Sequence, residues 1–193
     1  MTVQLFLTSI ISAMLINNVV LMRYLGLCSF FGVSTKMKSV VGMSFAVMVV
    51  MLISAAITYP LYFFVLKPLN IEYILTIAFI LVIASAVQLM ELIIKKVSTS
   101  LYKALGVYLP LIATNCAVLG ITQTNLTDSR NFLDALVLTI GTGLGFGLII
   151  ITFTAIRMRL DSANVPKALK GLPIAFVTAG LMALAFMGLG GLI

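Results

Sequence analysis

Six long apolar stretches constrain the fold of this chain more than any other feature of its sequence. A helix that crosses a bilayer needs about 20 predominantly apolar residues, and no stretch shows an alternating pattern long enough to suggest a β-barrel. The sequence therefore predicts an all-α integral membrane protein with six transmembrane helices. The predicted spans are residues 3–22, 40–66, 71–94, 101–121, 132–156 and 172–193.

The composition excludes a water-soluble fold and narrows the chemistry. Of 193 residues, 62% are hydrophobic and 9% are charged, whereas globular chains are about half apolar and about a quarter charged. The length leaves no room for a sizeable extramembrane domain, so 1–193 is predicted to be a single membrane domain. Histidine is absent and acidic residues number five, which removes the usual groups for hydrolysis and for histidine-based proton transfer.

Basic residues cluster at alternate ends of the apolar stretches and predict the orientation of the chain. Cytoplasmic loops retain Lys and Arg, so the odd-numbered loops are predicted to lie inside and both termini outside. This pattern also accounts for the formal charge of +7, and no nucleic-acid partner is expected. The basic residues of the three loops are Arg23, Lys36 and Lys38, then Lys95, Lys96 and Lys103, then Arg157, Arg159, Lys167 and Lys170.

The first and fourth spans contain residues that interrupt a helix. Asn17 and Asn18 interrupt the first, which continues as a short apolar piece over 25–33, and Pro110 with Thr114 and Asn115 interrupts the fourth. Within a bilayer such breaks are tolerated only where protein or a cavity pairs the backbone groups. Both spans are therefore predicted to be broken.

The two halves of the chain resemble each other weakly. Asn18 falls opposite Asn115 at an offset of 97 residues, and residues 77–79 fall opposite 174–176 at the same offset. Three spans per half is an odd number, so the second half, approximately 98–193, would be inserted upside down relative to 1–97. Such an inverted repeat places its functional site near the midplane, at the broken helices.

Cys28 and Cys116 are the two cysteines, and each follows one of the breaks. Gly26 and Gly120 would let backbone approach a bulky group, and thiolates are preferred ligands of iron–sulfur clusters and soft metals. On spacing alone, however, a lone cysteine on an apolar helix is more often a small buried hydrophobe, and a disulfide is a further alternative. Because a cluster needs four thiolates, a cluster site would also require ligands from another chain.

The sulfurs are not at equivalent places in the repeat. Cys28 follows Asn18 by ten residues, whereas Cys116 follows Asn115 directly. Linear register alone therefore does not bring the two sulfurs together, and the chain would have to turn sharply after the first span.

The glycine-rich run over 141–147 imitates a nucleotide-binding fingerprint. It lies within an apolar span, however, and offers small-xxx-small spacing at Gly141 and Gly145 and at Gly143 and Gly147. Close helix packing is the favoured interpretation.

Several motifs resemble those of the A subunits of Rnf electron-transport complexes. They are Leu-Gly-Leu-Cys at 25–28 with Gly-Val-Ser at 32–34, Leu-Pro-Leu-Ile at 109–112, Thr-Asn-Cys-Ala-Val-Leu-Gly at 114–120, and Thr-Ala-Gly-Leu-Met at 178–182 with Ala-Phe-Met-Gly at 185–188. The resemblance covers essentially the whole chain. The homologous E subunit of the sodium-pumping NADH:quinone reductase is the next best match and remains an alternative.

This resemblance implies a function that composition could not show. Rnf complexes move electrons between ferredoxin and NAD across the plasma membrane of bacteria and archaea, and couple the transfer to Na⁺ or H⁺ translocation. The chain would be one part of that oxidoreductase, not catalytic alone, working with subunits B, C, D and G. With a homologous E subunit of opposite orientation it would share a [2Fe-2S] cluster.

Carried onto this sequence, the resemblance makes Cys28 and Cys116 the two ligands supplied by this chain. Gly26, Asn115 and Gly120 would surround them. One departure from the family pattern is Ser29, which stands where proline is common after the first cysteine. It removes no ligand.

A secondary transporter is the alternative from a different class, because inverted repeats with broken helices also build transporters. A transporter would be expected to place charged or polar substrate ligands at its breaks. Here the breaks offer Asn17, Asn18, Thr114 and Asn115 without an acidic residue. The paired cysteines favour electron transfer.

The predicted orientation can be tested by labelling engineered cysteines in intact cells. A cysteine at Lys36 or Lys167 should be shielded from an impermeant thiol reagent added outside, while one placed after Ile193 should react, because basic loops stay in the cytoplasm. The reverse labelling pattern would overturn this topology.

Overall fold

The computed structural model of the chain describes residues 3–34, 37–69, 74–97, 111, 115–127, 131–163, 166 and 169–190, and the regular structure of these residues is helical. The elements are α1 (Val3–Ile11) with a π-helical turn (Ser12–Ile16), α2 (Leu27–Val33), α3 (Met37–Leu61) with a π-helical turn (Tyr62–Leu66), α4 (Lys67–Leu69), α5 (Leu75–Val97), α6 (Cys116–Thr127), α7 (Phe132–Asp161) and α8 (Leu172–Gly190).

Three of the described helical segments are long and apolar enough to cross a membrane, judged by length and composition: Ser39–Leu66, Leu75–Ile93 and Phe132–Asp161. Leu7–Ile16 and Leu172–Gly188 are shorter apolar helices. The chain is thus all-helical in its described part and carries several helices suited to a bilayer. The total of six spans stays a prediction.

The predicted fourth span, 101–121, lies largely outside the described residues, as do Pro110 and Thr114. Its described end, α6, continues past the predicted boundary to Thr127. The hydroxyls of Thr122 and Thr124 donate to the carbonyls of Leu119 and Gly120, each at 2.8 Å. These polar side chains pair within their own helix, so the helix continues through a segment that a hydropathy boundary would exclude.

The outward faces of the long helices are apolar. On α5, Phe79, Ile83 and Val87 are buried at spacings of four residues, as expected for one face of a helix. The remaining faces expose large aliphatic side chains, which a soluble monomer rarely presents in such continuity. These are Ile77, Ile80, Leu81, Leu89, Leu92 and Ile93.

The first helix is interrupted where the sequence predicts, at Asn17 and Asn18. The Asn18 side chain pairs two backbone groups at this point: its Nδ2 donates to the carbonyl of Met14 at 2.9 Å, and its Oδ1 accepts from the N–H of Val20 at 3.0 Å. Helical structure returns only at Leu27. Residues 17–26 therefore form a looped segment, called here the break, between two helical pieces.

Arg23 lies in the break, after the first helical segment and before α2. Its Nη1 donates to Thr124 Oγ1 on α6 at 2.6 Å, so a hydrogen bond joins the break to α6. The side of the membrane on which Arg23 lies stays a prediction.

Glycines of α7 pack closely against two neighbours, which confirms the packing interpretation of the 141–147 run. A Cβ at Gly141 would lie 3.1 Å from the carbonyl oxygen of Ile10, and one at Gly145 would lie 2.9 Å from that of Met14. A Cβ at Gly143 would lie 2.9 Å from Met48 on α3. Alternate glycines therefore seat α7 against the first helix and against α3.

Substituting one of these glycines should loosen the bundle. Gly145→Ala should lower the free energy of unfolding by about 1–3 kcal/mol, the usual cost of overpacking, because the added methyl group meets the Met14 carbonyl and Asn18. Gly180→Ala is the matched control, since a Cβ there meets nothing within 4 Å. Unfolding in detergent would measure both, and equal stability of the two variants would contradict this packing.

Candidate metal centre

The break in the first helix contacts the beginning of α6. The backbone N–H of Gly26 donates to the Sγ atom of Cys116 at 2.8 Å, which joins residues 90 positions apart in the sequence. Cys116 is the first residue of α6. The positive end of the α6 dipole therefore lies at this sulfur, where it favours negative charge on a ligand.

The structure brings Cys28 and Cys116 together. Cys28 lies in the first turn of α2, and the two side chains are close enough to interact directly. Both are free cysteines, so no disulfide joins them. The unequal spacing of the two cysteines from Asn18 and Asn115 would keep the sulfurs apart only if the chain did not turn after the first helix. The break instead turns back on itself through hydrogen bonds from the N–H of Met22 to the Asn18 carbonyl and from the N–H of Leu25 to the Val19 carbonyl.

The two cysteines differ in exposure. Cys116 is half-buried, whereas Cys28 is exposed. The sulfur pair is therefore open on the Cys28 side, where another molecule can approach.

Gly26 has a backbone conformation that only glycine adopts without strain, with φ at +90°. It is also crowded. A Cβ there would lie 3.2 Å from Ala117 Cβ, 3.2 Å from the Phe146 ring and 3.3 Å from Asn115 Oδ1. Both the turn and the close approach that delivers the Gly26 N–H to sulfur require this glycine.

Asn115 links α6 to α2. Its Oδ1 accepts from the N–H of Ala117 at 3.1 Å, and its Nδ2 lies 3.3 Å from Ser29 Oγ, to which it donates. Ser29 in turn donates to the Gly26 carbonyl at 2.8 Å. Ser29 is thus part of a network that connects the two cysteine-bearing segments.

Asn18 and Asn115 make the same local hydrogen bond. In each case Oδ1 accepts from the N–H two residues later, Val20 or Ala117, at 3.0 and 3.1 Å. These are the two asparagines that the sequence comparison placed opposite each other.

Gly120 lies one turn beyond Cys116 and contacts the break by packing. A Cβ there would lie 2.5 Å from Leu25 Cδ1. The glycine therefore makes room for a side chain of the break.

Phe146 is the site neighbour that sequence reasoning missed. Its ring is fully buried and lies against Gly26. It belongs to the run 141–147, where the glycines drew attention to helix packing and no signal marked the aromatic residue between them. It forms part of the wall behind the Gly26 turn.

The donor set fits half of a tetrathiolate site. Two sulfurs lie together, one is accessible from outside the chain, and a backbone N–H is already directed at the other. Across the described residues no group of three or more His, Cys, Asp or Glu could hold a metal ion. A four-coordinate centre at this place would therefore draw its other ligands from a second chain.

Comparison with known proteins places the chain in a family. The family described as "Rnf-Nqr subunit, membrane protein" matches residues 6–193. The chain belongs to the Rnf-Nqr subunit family.

Named members of the family are similar over nearly their whole length. The A subunit of the Na(+)-translocating ferredoxin:NAD(+) oxidoreductase complex from Acetobacterium woodii is 54% identical over 182 residues, covering 94% of this chain and 95% of that protein. The A subunits of the ion-translocating oxidoreductase complexes from Aeromonas salmonicida and Aliivibrio salmonicida are 49% and 46% identical, each over 97% of both chains. The resemblance identified from motifs is thus confirmed at the level of the family.

The crowding at Gly26 can be separated from its backbone conformation. Gly26→Ala should destabilise the chain by about 1–2 kcal/mol for the left-handed conformation and by about 1–3 kcal/mol more for overpacking. Gly171→Ala is the control, because Gly171 has φ at +93° but no atom within 4 Å of an added Cβ. Detergent unfolding of both variants measures the difference. Equal losses would show that Gly26 is not crowded.

Proposed function

We propose that this Rnf-Nqr family member is the A-type membrane component of an Rnf electron-transport complex and supplies Cys28 and Cys116 as half of the ligands of a [2Fe-2S] cluster. The observation that carries the proposal is the paired sulfurs at the break, one receiving the Gly26 N–H and the other exposed. The similar proteins named above are A subunits of ion-translocating oxidoreductase complexes, which favours this role over that of the E subunit of the quinone reductase.

The partner would be a homologous membrane protein of opposite orientation, the E subunit, that contributes two further thiolates. The exposed Cys28 supports this arrangement, because an open sulfur pair leaves room for a second chain. Subunits B, C, D and G would complete the complex. Within it this chain is part of an ion-translocating ferredoxin:NAD oxidoreductase and has no activity alone.

For the membrane domain we propose six spans in two inverted halves, 1–97 and 98–193, in the plasma membrane with both termini outside. The matching hydrogen bonds of Asn18 and Asn115 support the repeat. Once Arg23 is assigned to the break, the first loop retains Lys36 and Lys38. Three basic loops still alternate with two that are less basic, so the orientation does not depend on Arg23.

Each residue at the site would have a distinct task. Cys28 and Cys116 bind iron as thiolates, and the N–H of Gly26 donates to the Cys116 sulfur. The hydrogen bond between Asn115 and Ser29 holds the two cysteine-bearing segments together. When bound, such a cluster accepts and releases one electron. Hydrogen bonds to ligand sulfurs favour the reduced state of a cluster, which carries more negative charge. The N–H of Gly26 therefore raises the tendency of the site to accept an electron.

The proposed location of the site within the membrane provides a way to couple electron transfer to ion translocation. A bilayer core is about 30 Å thick, so a site near its middle lies about 15 Å from either surface. Adding negative charge there is costly in a medium of low dielectric constant. Cation movement toward the site would offset that cost, which gives a physical basis for coupling electron transfer to translocation of Na⁺ or H⁺.

Serine substitutions test the proposal in the assembled complex. Cys28→Ser and Cys116→Ser should each leave the complex assembled but abolish its [2Fe-2S] EPR signal, ferredoxin-linked NAD reduction and ion pumping, because one thiolate ligand is lost. Glu91→Gln is the control: Glu91 lies on α5 and belongs to neither cysteine-bearing segment, so its cluster signal should match the parent.

Two results would contradict the proposal. One is a serine variant that lacks the cluster yet reduces NAD with ferredoxin at close to the parental rate. The other is a full complement of [2Fe-2S] in this chain purified as a monomer, without a partner membrane protein. The first result would rule out an electron relay through the cluster. The second would rule out a cluster shared with a partner chain.

A further inference from the structure

Arg23 is bound to the helix that begins with Cys116. It lies in the break three residues before Gly26, and its Nη1 donates to Thr124 Oγ1 at 2.6 Å. The Thr124 hydroxyl in turn donates to the Gly120 carbonyl at 2.8 Å. The guanidinium is thus held against α6, the helix that also receives the Gly26–Cys116 contact.

A polar cleft surrounds this arginine. It has a cavity of about 130 Å³ lined by Asn17, Arg23, Thr124 and Thr142, together with the apolar residues Ala13, Val19, Ile121 and Leu138. The other polar lining groups are neutral, and no carboxylate of the described residues lines the cleft.

The charge of Arg23 lies at a distance from which it can influence the sulfur site. Thr124 follows Cys116 by eight residues of continuous helix, which is a rise of about 12 Å at about 1.5 Å per residue. With an effective dielectric constant of about 20, a unit charge at about 12 Å changes a one-electron equilibrium about tenfold. The Arg23 side chain is exposed in this chain by itself, which is why the dielectric constant typical of a protein surface is the relevant one.

We propose that Arg23 is the counter-charge that tunes the site formed by Cys28 and Cys116, and that it favours the reduced state. One electron passes from a low-potential one-electron donor, the donor is oxidised, no bond forms or breaks, and the site gains one negative charge. A fixed positive charge stabilises that product and raises the midpoint potential. This inference rests on the proposed function, since it requires the cluster to be present.

A structural role for Arg23 makes a different prediction. Thr124 lies in the last turn of α6, which ends at Thr127, and a cation near a helix C-terminus stabilises the helix. Loss of that interaction would lower stability without changing the midpoint potential. The potential therefore distinguishes the counter-charge from a helix cap.

The test is a redox titration of the assembled complex followed by EPR, using the [2Fe-2S] signal that disappears in Cys116→Ser. Arg23→Gln should lower its midpoint potential by about 59 mV, the equivalent of a tenfold change for one electron. Arg23→Lys keeps the charge and should leave the midpoint close to that of the parent. Lys67→Gln removes a cation that lies over the ring of Phe63 and belongs to neither the break nor α6, so it should also leave the midpoint unchanged.

A second variant keeps the test decisive if Arg23→Gln does not assemble. Thr124→Glu retains Arg23 but places a carboxylate beside it, so it should also lower the midpoint. The inference is overturned if Arg23→Gln titrates at the parental midpoint, or if Thr124→Glu does so where Arg23→Gln does not assemble. It is also overturned if Arg23→Lys shifts the midpoint as far as Arg23→Gln, or if Lys67→Gln has the same effect. A parent complex without any signal dependent on Cys116 would instead refute the proposed function itself.

Discussion

The pairing of backbone polar groups in the break is the constraint on which the rest of the structure depends. In a bilayer an unpaired N–H or carbonyl costs several kcal/mol, so a helix can stop only where other groups of the protein replace its hydrogen bonds. Asn18 replaces two of them, and Gly26 directs a third at a sulfur of another helix. The place where the first helix stops is therefore also the place where it binds α6. Interruption of the helix and formation of the sulfur pair have one physical cause.

Close approach of helices makes that pairing possible. The hydrogen bonds of Asn18 are local, whereas that of Gly26 reaches a sulfur on α6 at 2.8 Å, so α6 must come within van der Waals distance of the break. Gly145 accommodates the carbonyl of Met14 and the amide of Asn18, while Gly26 accommodates Ala117 and Phe146. Larger residues at these two positions would separate the segments whose polar atoms need each other. The glycines thus support the polar contacts of the site as well as apolar packing.

Much of this arrangement could be predicted from sequence, and what could not has identifiable reasons. Apolar length predicted the helices, the asparagines predicted the first break, and small-residue spacing predicted the packing of α7. The contact between the sulfurs was expected only from the family resemblance. Spacing could not predict it, because it depends on how residues 17–26 turn, and local signals such as Gly26 permit a turn without setting its direction. Phe146 was missed because its contact with Gly26 joins residues 120 positions apart. The hydrogen bond of Arg23 to Thr124 was missed because it joins residues 101 positions apart.

The position of Arg23 bears on more than membrane orientation. Its side chain is exposed in the described chain, so its field acts through the effective dielectric constant typical of a protein surface. The chain keeps that charge in place by hydrogen bonding it to Thr124, near the negative end of the α6 dipole. The opposite, positive end of the same helix lies at Cys116. A single helix therefore has a sulfur ligand at one end and a cation near the other, and both its dipole and the arginine favour negative charge at the sulfur site.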